Sequence, residues 1–156
     1  MTIANHLLQS IYLFKDLNAD ALDVISRAAD TSVFDSGQDI CREGQPADGM
    51  YLLRSGSVRV TKADSDADMV VLGAGSHFGE LGLVDDSPRS ATVTAMERCE
   101  VITIKARRLA DELSAQPAVA AAFYRVIARS IARRLRVTTD DLASARQFAL
   151  SQRRSG

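Results

Sequence analysis

Histidine and cysteine are scarce in this chain, with two of each among 156 residues. Cys41 and Cys99 lie far apart and form no Cys-x-x-Cys pair, so neither a disulfide framework nor a redox motif can be read from them. Both are expected to be reduced, buried, strand-borne thiols in a cytoplasmic protein. Without a His/Cys cluster, no transition-metal site and no metal cofactor are expected. Long apolar runs are also missing. The opening "MTIANHLLQSIYLF" has no basic start, and Asn5, His6, Gln9 and Ser10 interrupt it, so it reads as neither a secretory leader nor a membrane span. Internal repeats and low-complexity linkers are absent, and the closing "SQRRSG" reads as a frayed end. A net charge of −1 excludes a chain that binds polyanions or polycations with its whole surface.

What remains is the composition of an ordinary globular protein, 46% apolar and 25% charged, long enough for one domain with a real core. The charge is unevenly spread. Residues 1–104 carry 8 Lys/Arg against 16 Asp/Glu, and residues 105–156 carry 11 against 4. The chain therefore has an acidic body and a basic tail.

Three zones follow along the chain. In residues 1–30, "LNADALDVISRAAD" offers Asn18 as a helix N-cap and Asp20 in the first turn. Leu22, Ile25 and Ala29 recur at helical spacing, and Phe14 and Leu17 are expected on the same surface. From 31 to 105, seven short apolar runs alternate with turn residues: "TSVFD", "DICRE", "MYLLR", "SVRVTK", "DMVVLG", "ATVTAM" and "CEVITIKA". Spacings of roughly 8–12 residues predict an antiparallel β sandwich, roll or barrel. Residues 106–156 are helical again. "KARRLADELSAQ" is a short helix, and Pro117 suits the first turn of the next.

From Pro117 to about Leu150 there is no further Gly or Pro. Phe123, Ile127, Ile131, Leu135, Thr138, Leu142, Ala145 and Ala149 recur every three or four residues. This predicts one helix of about 30 residues, roughly 45 Å long, whose apolar stripe exceeds what one small β-roll can cover. Pairing of two copies through this helix is the simplest remedy. Arg129, Arg133, Arg134 and Arg136 read as a solvated face of the same helix.

The stretch "FGELGLVDDSPRSATVTA" at 78–95 sets one acid and one arginine on either side of a short glycine-marked turn. Gly79 allows close backbone approach or a positive φ. The start of a short helix presents free N–H groups that suit an anion. Arg89 can bind two oxygens of a phosphate, and the Ser90 hydroxyl stands beside it. Glu80 opposes an anion but can accept from a sugar hydroxyl. An acid for a ribose and an arginine for a phosphate describe a nucleotide. On spacing alone, an exposed Glu80–Arg89 ion pair is the alternative.

The same stretch resembles the phosphate-binding cassette of the cyclic-nucleotide-binding domain family, F-G-E-[LI]-[AG]-L followed by P-R-x-A-[TS]-V. Gly44, Gly56, "MYLLRSGSVRV" and "GAGSHFGE" fit the family's other landmarks. The resemblance covers nearly the whole chain. It implies an α+β fold: a double-stranded, jelly-roll-like antiparallel β-roll flanked by N-terminal helices and a long C-terminal helix, with the cassette at 78–91. It also implies site roles. Glu80 would accept from the ribose 2′-OH and Arg89 would pair with the cyclic phosphate. Backbone groups of Gly79, Glu80, Leu81 and Gly82, with the Ser90 hydroxyl and N–H, would complete the cradle. Val60 and Met69 would form apolar walls.

"IARRLRVTTDDL" resembles the dimerising helix of the family's catabolite-activator branch. That places Thr138 on the purine of its own subunit and Thr139 on the ligand of the partner. Thr138 and Thr139 favour cyclic AMP, whereas Ser90 beside the arginine could serve the guanine of cyclic GMP. Only 17 residues follow Thr139, too few for a helix-turn-helix domain, so the chain reads as a free-standing or a truncated sensor.

DNA binding is not expected, since no groove-reading helix or aromatic platform accompanies the arginines. Related β-rolls in cupins carry metal-binding histidines on strands, a cluster that His6 and His77 cannot supply. No nucleophile–base pair is recognisable either, so a binding module is expected rather than an enzyme. It would signal to a separate protein effector. A ligand-free scaffold and a truncated transcription regulator are the alternatives.

Overall fold

The computed structural model describes residues 5–154, the side chains of 66–69 and 152–154 excepted. The N-terminal helical layer is α1 (Asn5–Gln9), a 3-10 turn at Tyr12–Phe14, and α2 (Ala19–Arg27). Eight strands follow: β1 (Ala29–Phe34), β2 (Asp39–Cys41), β3 (Gly49–Ser55), β4 (Ser57–Lys62), β5 (Ser65–Gly73), β6 (His77–Phe78), β7 (Thr92–Ala95) and β8 (Cys99–Lys105). The short α3 (Leu81–Asp85) interrupts them, and α4 (Ala106–Ser114) and α5 (Pro117–Arg154) close the fold. All strand pairings are antiparallel. One sheet runs β1-β8-β3-β6 and the other β2-β7-β4-β5, which is the expected β-roll.

The two sheets face each other around one core, and the helices pack on the outer face of the first sheet around a second. β3 and β8 serve both. Met50 and Leu52 of β3, with Ile102 and Ile104 of β8, join Phe14, Leu22, Ile25, Leu109 and Phe123 in the helical core. Tyr51, Leu53 and Val101 join Val58, Phe78 and Val93 inside the roll. A strand buried on both faces reads as a continuous apolar run, as "MYLL" and "VITI" do. The register sets Leu52 opposite Ile102 and Leu53 opposite Val101, so the two central strands split their side chains between the cores in step.

Asn18 caps α2 as expected, its side-chain oxygen accepting from the Ala21 amide at 3.0 Å. Two boundaries differ from expectation. Ala29 does not extend α2: the helix stops at Arg27, and Ala29 opens β1 opposite Ile104 while still buried in the same core. β6, read from sequence as loop, pairs His77 with Leu52 and Phe78 with Tyr51. Two residues are too few to show an alternation.

Cys41 and Cys99 are buried, free thiols on β2 and β8. Burial pushes both thiol pKa values up. No helix among the described residues is long and apolar enough to cross a membrane.

α5 is longer than the spacing predicts, with 38 residues and no break after Pro117. At 1.5 Å per residue it extends about 57 Å. Its stripe divides into two parts. Phe123 and Ile127 are fully buried on the chain's own body, whereas Leu135 and Leu142 are 65% and 53% exposed.

Candidate functional site

A cavity of ≈ 530 Å³ opens between the roll, α3 and α5. Val60, Val70, Leu72 and Val93 line its apolar wall, the cassette residues Gly79–Gly82 and Pro88–Ala91 its polar rim, and Arg133, Arg134, Val137, Thr138 and Asp141 its α5 side. Of the residues singled out in the sequence, Gly79, Glu80, Leu81, Gly82, Arg89, Ser90, Val60 and Thr138 all lie on it. Thr139 does not line the cavity; it sits on the helix surface with its hydroxyl donating to the Leu135 carbonyl at 2.8 Å. The Met69 side chain lies outside the described residues.

The cassette is shaped by close backbone approach. Gly79 has φ +78, and a Cβ there would lie 2.4 Å from Arg89 Nη1. At Gly82 a Cβ would lie 2.1 Å from the Ala47 Cβ. Conformation therefore favours glycine at the first position, where a Cβ would also displace the Arg89 guanidinium, and space requires it at the second. Glu80 stands at the N-cap of α3 in αR geometry, and its side chain does not cap the helix. The first amides of α3 consequently keep no side-chain acceptor, as helix starts do when uncapped.

Glu80 and Arg89 are both buried, 1% and 6% exposed, and they do not pair with each other. The exposed ion pair admissible from spacing is thereby excluded. Arg89 Nη1 donates to the Gly79 carbonyl at 3.2 Å and Nη2 to Asp48 Oδ1 at 3.0 Å. Its guanidinium lies 4.9 Å from the centroid of Tyr51, which stacks on Phe78 at 5.1 Å. Two of five N–H donors are thus engaged, and the group is held rigidly over an aromatic floor. Burial pushes the Tyr51 phenol pKa up.

Arg134 has partners that the sequence did not reveal. It is not simply part of a solvated face. Its Nη1 donates to Glu80 Oε1 at 2.6 Å and its Nη2 to the His77 carbonyl at 2.7 Å. One signal was available: Arg134 stands one turn before Thr138, and the Thr138 hydroxyl donates to the Arg134 carbonyl at 2.9 Å. The other carboxylate oxygen, Glu80 Oε2, is buried without a hydrogen-bond partner. A buried carboxylate oxygen left this way costs free energy until a donor reaches it. The cavity therefore holds one acceptor awaiting a donor and, 9 residues later in the chain, a guanidinium with N–H groups to spare.

His77 ties the cassette to α5 through Nε2 and the Ser130 hydroxyl, 2.8 Å apart. Burial, then the nearby Arg134 and Arg133, hold its pKa down to about 4 against the ordinary 6.5. The unfolded chain thus takes up a proton near 6.5 that the native chain refuses until about 4. The stabilisation is complete above the unfolded value and is lost as pH falls through this window, up to about 3 kcal/mol. Denaturant unfolding of the parent and of His77→Gln between pH 7 and 4 checks this. The variant is expected to fall less steeply, and parallel curves would refute the assignment.

The chain is similar to known proteins over much of its length. The family model described as "Cyclic nucleotide-binding domain" matches residues 31–116. A cAMP-dependent protein kinase regulatory subunit of Yarrowia lipolytica is 33% identical over 97 residues, covering 62% of this chain and 26% of that protein. A cyclic nucleotide-gated potassium channel of Rhizobium etli is 34% identical over 114 residues, covering 73% of this chain and 31% of the channel. The chain thus spans a quarter to a third of the length of these relatives. Among solved structures, the N-terminal domain of a transcriptional regulator from Streptomyces coelicolor superposes with a TM-score of 0.68 at 31% identity, covering 86% of this chain and 95% of that one.

Proposed function

The chain belongs to the cyclic nucleotide-binding domain family, and from that premise we propose that it is a cyclic-AMP sensor whose long C-terminal helix reports the ligand to a separate partner. The carrying observation is the buried pair on one cavity: Glu80 with an unpartnered oxygen and Arg89 with spare N–H donors. A sugar hydroxyl satisfies the first and a cyclic phosphate the second. Gly79 keeps Cβ atoms away from the guanidinium, and Leu81 and Gly82 bring the helix-start amides to the same rim. The apolar wall of Val60, Val70 and Leu72 suits the face of a purine.

The reading is of a binding module, not a catalyst. Its response is a population shift. Arg134 links Glu80 and the His77 carbonyl to α5, so a ligand hydroxyl arriving at Glu80 alters the bonds that position the helix. The exposed Leu135 and Leu142 fit pairing of two copies along α5, as a homodimer. Buried free thiols suit a cytoplasmic setting.

Adenine is favoured because Thr138 lies on the cavity and because the Yarrowia relative is named for cAMP. Ser90 also lies on the cavity and supports the second reading, cyclic GMP. Calorimetric titration with both nucleotides decides. Cyclic AMP is expected to bind at least about tenfold more tightly. Equal or reversed affinities would remove the adenine assignment, and absence of binding by either would remove the sensor. Sedimentation of the same preparation is expected to give a dimer, and a monomer at micromolar concentration would refute pairing through α5.

A further inference from the structure

His77 and Ser130 line a second cavity of ≈ 210 Å³, between the N-terminal 3-10 turn and α5. Lys15, Arg129 and Arg133 line it, against a single carboxylate, Asp16. Among the described residues, none of these three cations makes an ion pair. Two of them flank Tyr12, with Lys15 Nζ 4.4 Å and Arg133 Cζ 5.1 Å from the ring centroid, and Arg129 lines the same cavity. Arg133, by hydrogen bond and charge, and then Lys15 pull the Tyr12 phenol pKa down. The phenol oxygen thus stands where an anion is electrostatically favoured. Ser130 adds a hydroxyl at the cavity wall, held 2.8 Å from His77 Nε2.

Three like charges converging on one concave site repel one another, and an ordinary solvated face would spread them apart. An oxyanion in the cavity removes that repulsion and supplies acceptors for guanidinium and ammonium donors alike. We propose that this cavity is a second anion site, taking a small phosphate-class oxyanion between Lys15, Arg129 and Arg133. It is separate from the cassette, although Arg133 lines both cavities. An occupant would clamp the N-terminal 3-10 turn to α5 one residue away from the arginine that holds Glu80.

The probe is inorganic phosphate, titrated calorimetrically into the full chain at constant ionic strength with chloride as the balancing anion. Saturable binding is expected, weakening as salt rises. The double variant Lys15→Ala/Arg129→Ala removes two exposed cations that line only this cavity, so the melting temperature reports whether the fold is kept. In it, phosphate binding is expected to weaken by at least about tenfold, the loss of charge-assisted contacts. Its affinity for cyclic AMP in phosphate-free buffer is expected to match the parent, so failure here is distinct from failure of the sensor reading. No saturable phosphate binding by the parent, or undiminished binding by the double variant, as when phosphate seats only at Arg89, would overturn the proposal.

Discussion

Arg89→Ala is expected to abolish micromolar-range binding of cyclic AMP. The arginine side chain is 4% exposed, whereas its partner Asp48 is 62% exposed. Losing the arginine therefore strands no buried acid, since Asp48 turns to water. The damage falls on the ligand, whose phosphate would enter a partly dry pocket without its counter-charge. Breaking such a desolvated pair costs about 3–5 kcal/mol, roughly two to four orders of magnitude in affinity. Arg89→Lys retains the charge but not the fork that engages Gly79, Asp48 and an anion together, so a large part of the loss is expected there too. The backbone at this position is secured independently, with the Arg89 amide donating to the Gln45 carbonyl and the Gly44 amide to the Arg89 carbonyl, both at 2.8 Å. The cassette should keep its path in the variants. Titration calorimetry reads the result, and an Arg89→Ala affinity within about threefold of the parent would dismiss the phosphate clamp.

Phe123→Ala is expected to produce the largest loss of stability. The ring is fully buried where α5 meets the N-terminal helices and the first sheet. It lies 6.2 Å from Phe14 and 5.5 Å, edge-on, from Tyr124. Truncation removes its transfer free energy and leaves a void that a sheet and several helices cannot close, about 3–5 kcal/mol. For a chain of this size the melting temperature falls by on the order of 10 °C. Denaturant unfolding at fixed protein concentration checks this, with a lower midpoint and an unchanged slope. A shift below about 1 kcal/mol would mean that the helical layer is not packed as described. Phe123 lies more than three turns from Arg134, so nucleotide affinity well below the melting temperature should hold.

The cassette was legible because its chemistry is local. Gly79, Glu80, Arg89 and Ser90 fall within one short excursion, and spacing alone brings them near one another. Their supports were not legible, because they come from distant segments. Asp48 and Tyr51 reach Arg89 from the β2–β3 region, and Arg134 reaches Glu80 across 54 residues. Periodicity placed Arg134 on the helix surface correctly, since it is half exposed, but it could not show that a buried carboxylate waits there. The strands were legible from their turns and apolar runs, except β6, which exists only because β3 offers it an edge. The α5 stripe was legible as one line. Only the three-dimensional packing divides it, since Phe123 and Ile127 meet the chain's own body and Leu135 and Leu142 project beyond it.

Tyr51 forms the floor under Arg89, and Leu52, the next residue in β3, belongs to the core that seats α2 and α5. A single pleat is all that separates the guanidinium's platform from the helices. The cassette cavity and the helical layer lie on two sides of one partition, with no linker interposed among the described residues. A tilt of that partition on one side is a tilt on the other, so in the proposed sensor a message has only the thickness of a polypeptide backbone to cross.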